Sequence, residues 1–377
     1  MKKLFVIFVV SLANISCAQA GDVDLLSDDI LMLSDDNSTP AVAEGESSNK
    51  GGILNFIKKP LSLFFSEEEK NPEQQETYIE KTTQAADNGS LEDQMNLAYM
   101  YLYGTNGVQA NHDKALYYYD LAAQQNDPVA LNNLGSLYFS GIGTKADVKK
   151  ALALFNKAAE LGNDNAAVNL AFIYLTGGKK DSLRNQKAFS LLQKASKSGN
   201  KIAKFMLGYA YYKGFVVNQN YETAFKLISS AAGENSMIDE AQIVLAQMYI
   251  NGRGTVQNYT KAVESYRNAV QQGNVEAYMK LGEIYAKGEI YPVDPIMAHA
   301  LFNIAAAQNT PDADKKRDRV AKVLKLEELT AAQSKAQEFT NQPSELTLYI
   351  RQTYGNRIRD YIDNNIVVPQ ENMTGIK

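Results

Sequence analysis

From about residue 91 onward, apolar and polar positions recur with a long, nearly constant period. Tyrosines at Tyr101, Tyr138, Tyr174, Tyr211, Tyr249 and Tyr285 are separated by 37, 36, 37, 38 and 36 residues, which is the signature of stacked structural repeats. Four positions before each stands a leucine (Leu97, Leu134, Leu170, Leu207, Leu245, Leu281), and three before each a small residue (Ala98, Gly135, Ala171, Gly208, Ala246, Gly282). At helical spacing these three positions share a face. The small residue predicts the close approach of a neighbouring helix, with Leu and Tyr filling the space beside it. Glycine follows three positions after every tyrosine, from Gly104 to Gly288, and predicts that the helix ends there in the left-handed conformation.

A second helix follows in each unit, anchored on Ala115, Ala151, Ala188, Ala224, Ala262 and Ala298. Four positions earlier stand Asn111, Asp147, Arg184, Asn220, Asn258 and Asp294. All but Arg184 can accept a hydrogen bond from the free amides of the first turn, and Pro295 takes the first helical position that suits it. Four after the anchor comes a large apolar residue such as Phe155 or Phe302, seven after it another alanine, and eleven after it Gly or Asn (Asn126, Gly162, Gly199, Asn235, Gly273, Asn309). These last are again residues that tolerate a left-handed helix end.

Each unit is thus a helical hairpin whose inner stripe needs a neighbour for burial. The Leu-small-x-x-Tyr first helix, the glycine-ended turn, the Lys-Ala second helix and the Ala-Ala-x-x-Gly-Asn close resemble the Sel1-like repeat family, relatives of tetratricopeptide repeats. Leu134 to Tyr138, with Lys150-Ala151 and Ala158 to Asn163, is the fullest match. The resemblance implies an all-α fold, an α-solenoid winding as a right-handed superhelix of about six hairpins over residues 91–310. Upstream, Tyr78, Ala85 and Gly89 keep second-helix spacing, so residues 73–90 are expected to supply a capping half repeat. Downstream, residues 311–362 are expected to form capping helices, the last amphipathic from about Pro343 to Ile362, with 363–377 a flexible tail.

The chain start reads differently. Lys2 and Lys3, an apolar stretch from Leu4 to Ala13 and the small residues of Ala18-Gln19-Ala20 make residues 1–20 a signal peptide cleaved after Ala20. Cys17 also follows the apolar stretch and leaves lipidation as the alternative. Residues 21–72 hold eleven acidic and four basic residues, a disordered acidic leader. Its segment 53–65, Ile53 to Phe65, is too apolar for a linker, so it docks as a cap or contacts a membrane surface or a partner. With a chain total of -5 and two lysines in the signal, the remainder is neutral. A neutral fold lacks the basic footprint of a nucleic-acid binder.

Chemistry is sparse. Two histidines, His112 and His299, and one cysteine, Cys17, supply neither a metal ligand set nor a Cys/His nucleophile pair, and no phosphate loop or serine elbow occurs. The chain is therefore expected to be no enzyme and to need no cofactor or metal, with both histidines in surface or capping roles. In stacked hairpins of this family the first helices line a concave groove. One position before each core leucine lie Asn96, Asn133 and Asn169, whose amides pair with an extended peptide backbone. In related tetratricopeptide grooves asparagine here holds peptide ligands. Tyr99, Phe172 and Tyr209 would add flat apolar contacts. The asparagines could instead satisfy the neighbouring turn. The resemblance implies an exported adaptor, periplasmic or secreted, that binds a protein or peptide, in host-cell interaction or entry. The alternative is a periplasmic scaffold for envelope polysaccharide or peptidoglycan machinery.

Overall fold

The structure is a computed structural model describing residues 72–176, 182–233, 236, 238–339 and 359. No strand occurs among the described residues. The chain forms two compact units, Met1–Asn200 and Lys201–Lys377. In the first, α1 (Pro72–Asp87) precedes three hairpins: α2 (Leu91–Tyr103) with α3 (His112–Gln124), α4 (Pro128–Ser140) with α5 (Val148–Glu160), and α6 (Asp164–Thr176) with α7 (Ser182–Lys197). In the second, α8 (Lys201–Lys213) pairs with α9 (Tyr221–Ala231), α10 (Asp239–Asn251) with α11 (Tyr259–Gln271), and α12 (Val275–Lys287) with α13 (Pro295–Ala307). The helices α14 (Ala313–Ala321) and α15 (Leu326–Glu338) follow.

In every hairpin but α6–α7, whose turn lies outside the described residues, the turn is built from the residues the spacing singles out. Gly104, Gly141, Gly252 and Gly288 close their helices at positive φ, each amide bonded to a carbonyl four residues back. The chain then returns to the anchor tyrosine. The amides of Asn111, Asp147, Asn220, Asn258 and Asp294 donate to the carbonyls of Tyr101, Tyr138, Tyr211, Tyr249 and Tyr285, at 2.7 to 3.0 Å. The same five side chains cap the second helices, accepting from the amides of Lys114, Lys150, Thr223, Lys261 and Met297. Such a cap contributes about 1 kcal/mol. Arg184 is no cap: α7 starts earlier, at Ser182, and contains it.

In the three hairpins whose small residue is glycine, a large residue of the second helix sits on it. A Cβ added at Gly135 would lie 2.9 Å from Phe155 Cε1, at Gly208 2.8 Å from Ile228 Cγ1, and at Gly282 2.7 Å from Phe302 Cε1. Phe155, Ile228 and Phe302 are buried, so the small residue sets how closely the two helices pack.

Asparagines at three repeat boundaries, Asn163, Asn200 and Asn274, each bond back to the start of the preceding first helix. Asn163 Oδ1 accepts from the amides of Asn165 and Ala166 while its Nδ2 donates to the Pro128 carbonyl at 3.0 Å. Asn274 Oδ1 likewise accepts from Ala277, and its Nδ2 donates to Asp239 Oδ2 at 2.9 Å. Asn200 Nδ2 donates to Asn165 Oδ1 at 2.8 Å. At Asn163 and Asn274 one short amide thus caps its own helix and holds the start of the first helix one repeat earlier, using both halves of its donor and acceptor capacity.

At the ends, α1 terminates before Gly89 at φ 93°, and Ala86 is the alanine fully buried there, with Ala85 only partly so. Asp312 at φ 61° introduces α14. The signal segment to Ala20 with Cys17, the 53–65 segment, and residues 340–377 except Arg359 lie outside the described residues, as do Gly177 and Asn235.

Candidate protein-binding site

On a first helix, positions nine, five and two before the anchor tyrosine form one stripe beside the core face. In unit one this stripe carries Asn96 and Tyr99 on α2 and Asn133 on α4, all half-buried. Tyr103, one turn further along α2, is 55% exposed with its ring 4.7 Å from that of Tyr99. Beneath them Tyr119 of α3 is buried and shares a side-chain hydrogen bond with Asn133. Burial, then the nearby Tyr103 and Tyr99, raise the Tyr119 pKa against the opposing effect of Asn133. The phenol therefore stays protonated and polar at the floor of an aromatic patch.

Asn169 is placed differently from a free rung. It is buried, and its Nδ2 donates to Asn132 Oδ1 at 2.9 Å, while Asn132 Nδ2 lies 3.4 Å from Asn133 Oδ1. The amides form a connected chain from Asn169 through Asn132 and Asn133 to Tyr119, crossing three repeats. Asn132 was not among the residues expected at this face, although the adjacent Asn132-Asn133 pair was its visible signal. Phe172 is buried on α6. Tyr209 belongs to unit two, where it is buried with its ring 6.0 Å from that of Tyr212. The structure thus gathers Tyr99, Tyr103 and Asn133 around Tyr119, leaves Asn96 half-buried on α2, and turns Asn169, Phe172 and Tyr209 inward.

In unit two the nine-before position of repeats five and six is acidic. Glu240 of α10 and Glu276 of α12 both stand nine before their tyrosines, Tyr249 and Tyr285. The side chain of Arg359 reaches both: its Nη1 donates to Glu240 Oε2 and, at 3.0 Å, to Glu276 Oε2. Burial raises the Glu240 pKa, with Arg359 opposing. Burial disfavours the Arg359 cation, yet Glu240 and Glu276 more than offset this and push its pKa up. Two positions before Tyr285, Glu283 pairs with Lys316 of α14. Glu240 and Glu276 stand outside the five-before and two-before positions followed in the sequence, whereas Glu283 stands at one of them.

His299 departs from the surface role expected of it: it is buried on α13, whereas His112 opens α3 half-buried. Among the described residues no group of His, Cys, Asp or Glu is arranged to hold a metal ion, and no helix is long and apolar enough to cross a membrane.

Comparison with known proteins agrees with the repeat geometry. The Sel1 repeat profile matches residues 91–127, 128–163, 164–200, 201–236, 239–274 and 275–310. The crystal structure of a Sel1 repeat protein from Oxalobacter formigenes superposes with a TM-score of 0.54 at 28% identity, covering 61% of this chain and 99% of that one. The chain is 28% identical over 282 residues to the ERAD-associated E3 ubiquitin-protein ligase component HRD3B of Arabidopsis thaliana, covering 57% of this chain and 42% of that protein. It is 30% identical over 193 residues to an uncharacterized protein of Neisseria meningitidis serogroup B, covering 51% of this chain and 38% of that protein. It spans less than half the length of these two relatives. With six successive matches over more than half its length, each on one of the observed hairpins, the chain belongs to the Sel1 repeat family.

Proposed function

We propose that the protein is an adaptor that binds a protein or peptide segment on the first-helix stripe of unit one. The observation that carries this reading is the patch of Tyr99, Tyr103, Asn96 and Asn133: aromatic surface and amides left partly open on the first helices α2 and α4, beside buried core positions such as Leu97 and Leu134. Aromatic side chains give large contact area at low entropic cost, and a half-buried amide can pair with a backbone once water leaves. Sel1 repeat arrays are scaffolds of the protein-interaction type, and the Arabidopsis relative is by its name a component of a larger ligase assembly. Catalysis has no support in this arrangement.

A photo-crosslinking residue in place of Tyr103 tests the site. It should label one protein from the native environment, and Tyr99→Ala together with Asn96→Ala should abolish that label. Labelling that survives both changes, or that is equally strong from an outward position such as Glu264, would contradict the assignment.

The reading includes export, supported by Lys2, Lys3, the Leu4 to Ala13 stretch and Ala18-Gln19-Ala20. The released protein should have an intact mass beginning at Gly21. A start at a modified Cys17 would favour the periplasmic scaffold alternative over an adaptor acting in host-cell interaction or entry, and an unprocessed Met1 would contradict both. The 53–65 segment would add contact with a membrane surface or partner.

A further inference from the structure

Arg359 stands 119 residues from Glu240 and 83 from Glu276 in sequence, yet its guanidinium lies against the first-helix stripe of repeats five and six. Its side chain is 16% exposed, that of Glu240 6% and that of Glu276 33%. The receiving carboxylates are held in place from behind. Asn274, the clip between these repeats, bonds Asp239 Oδ2 at 2.9 Å and approaches Glu240 Oε1 at 3.4 Å, which leaves Glu240 Oε2 directed at the guanidinium. Two carboxylates at equal register on successive repeats match the flat, forked donor set of arginine.

Arg359 uses this site incompletely. Both carboxylates converge on Nη1, while Nε is buried with no hydrogen-bond partner. A guanidinium placed to give each carboxylate its own nitrogen would make more bonds and leave no buried donor unmet. We propose that Glu240 and Glu276 form an arginine-receiving subsite of unit two and that the chain's own Arg359 occupies it. An arginine-bearing segment of a partner protein then binds this face only in exchange for Arg359. The contact is a self-ligand that sets a threshold for binding, since the apparent affinity of an outside ligand falls with the fraction of sites left open. This inference concerns unit two and can fail or hold independently of the unit-one patch.

The test uses the full chain and a fluorescent synthetic peptide with the chain's own sequence 350–368, added in trans. Wild-type protein should bind it weakly, and Arg359→Ala should bind it at least tenfold more tightly because the site is vacated. Adding Glu276→Gln to Arg359→Ala should remove that gain; Glu276 is partly exposed, so this change is mild for folding. A peptide in which the arginine corresponding to Arg359 is alanine should not bind. Equal affinity of wild type and Arg359→Ala, or a gain that survives Glu276→Gln, would overturn the proposal. Loss of helicity in Arg359→Ala by circular dichroism would also overturn it, by making the contact a structural clamp.

Discussion

His299 lies on the buried side of α13, 6% exposed, with Nδ1 enclosed and unpaired. Burial lowers its pKa below the ordinary 6.5, Arg317 lowers it further, and Asp318 opposes. The folded state binds the proton less well than the unfolded chain, so the stability associated with the neutral ring is complete above about pH 6.5 and is lost as pH falls below it. Thermal melts should therefore show a midpoint that drops from pH 7.5 to pH 5.5, and His299→Gln should flatten part of that drop. Identical pH profiles for the two proteins would show that the ring gains its proton without penalty. Burial of this histidine could not be read from the sequence, because its position near a helix start fits a surface role equally well. It is the packing around α13 that encloses it.

At the scale of the element, most of each hairpin was legible. The left-handed helix ends, the five caps and the large-on-small contacts fall where the repeat spacing puts them, because each depends on one or two residues with a strong local preference. Gly208 tests the packing part. Leucine is intrinsically better in a helix than glycine by about 1 kcal/mol, so propensity alone predicts that Gly208→Leu stabilises α8. Against this, a Cβ there already lies 2.8 Å from Ile228 Cγ1 and 3.0 Å from Leu227 Cβ, and a whole leucine overpacks by about 1 to 3 kcal/mol or more. The clash should win, and the melting midpoint should fall; a rise would mean that α8 and α9 can separate freely. What the spacing did not reveal was the use of amides. Asparagines at the repeat starts join successive hairpins, and Asn132 joins Asn133 to Asn169, since tertiary partners decide which of several equivalent asparagines is satisfied internally.

At the scale of the molecule, the repeat count and boundaries were readable because one motif recurs six times. The proposed binding face was readable only in part. Asn96, Tyr99 and Asn133 stay partly open, whereas Asn169, Phe172 and Tyr209 occupy the corresponding register and are buried, a difference set by neighbours rather than by residue type. Both proposed surfaces lie on first helices, one aromatic and amide-bearing in unit one, the other acidic and self-occupied in unit two. The central claim is that partners engage the first helices and leave the second helices free. Hydrogen–deuterium exchange on the full chain, with and without the protein crosslinked through position 103, tests it most directly. Slowed exchange should appear in α2 and α4, residues 91–103 and 128–140, with little change in α3 and α5, residues 112–124 and 148–160. Protection concentrated in α3 and α5 with α2 and α4 unchanged would contradict the account.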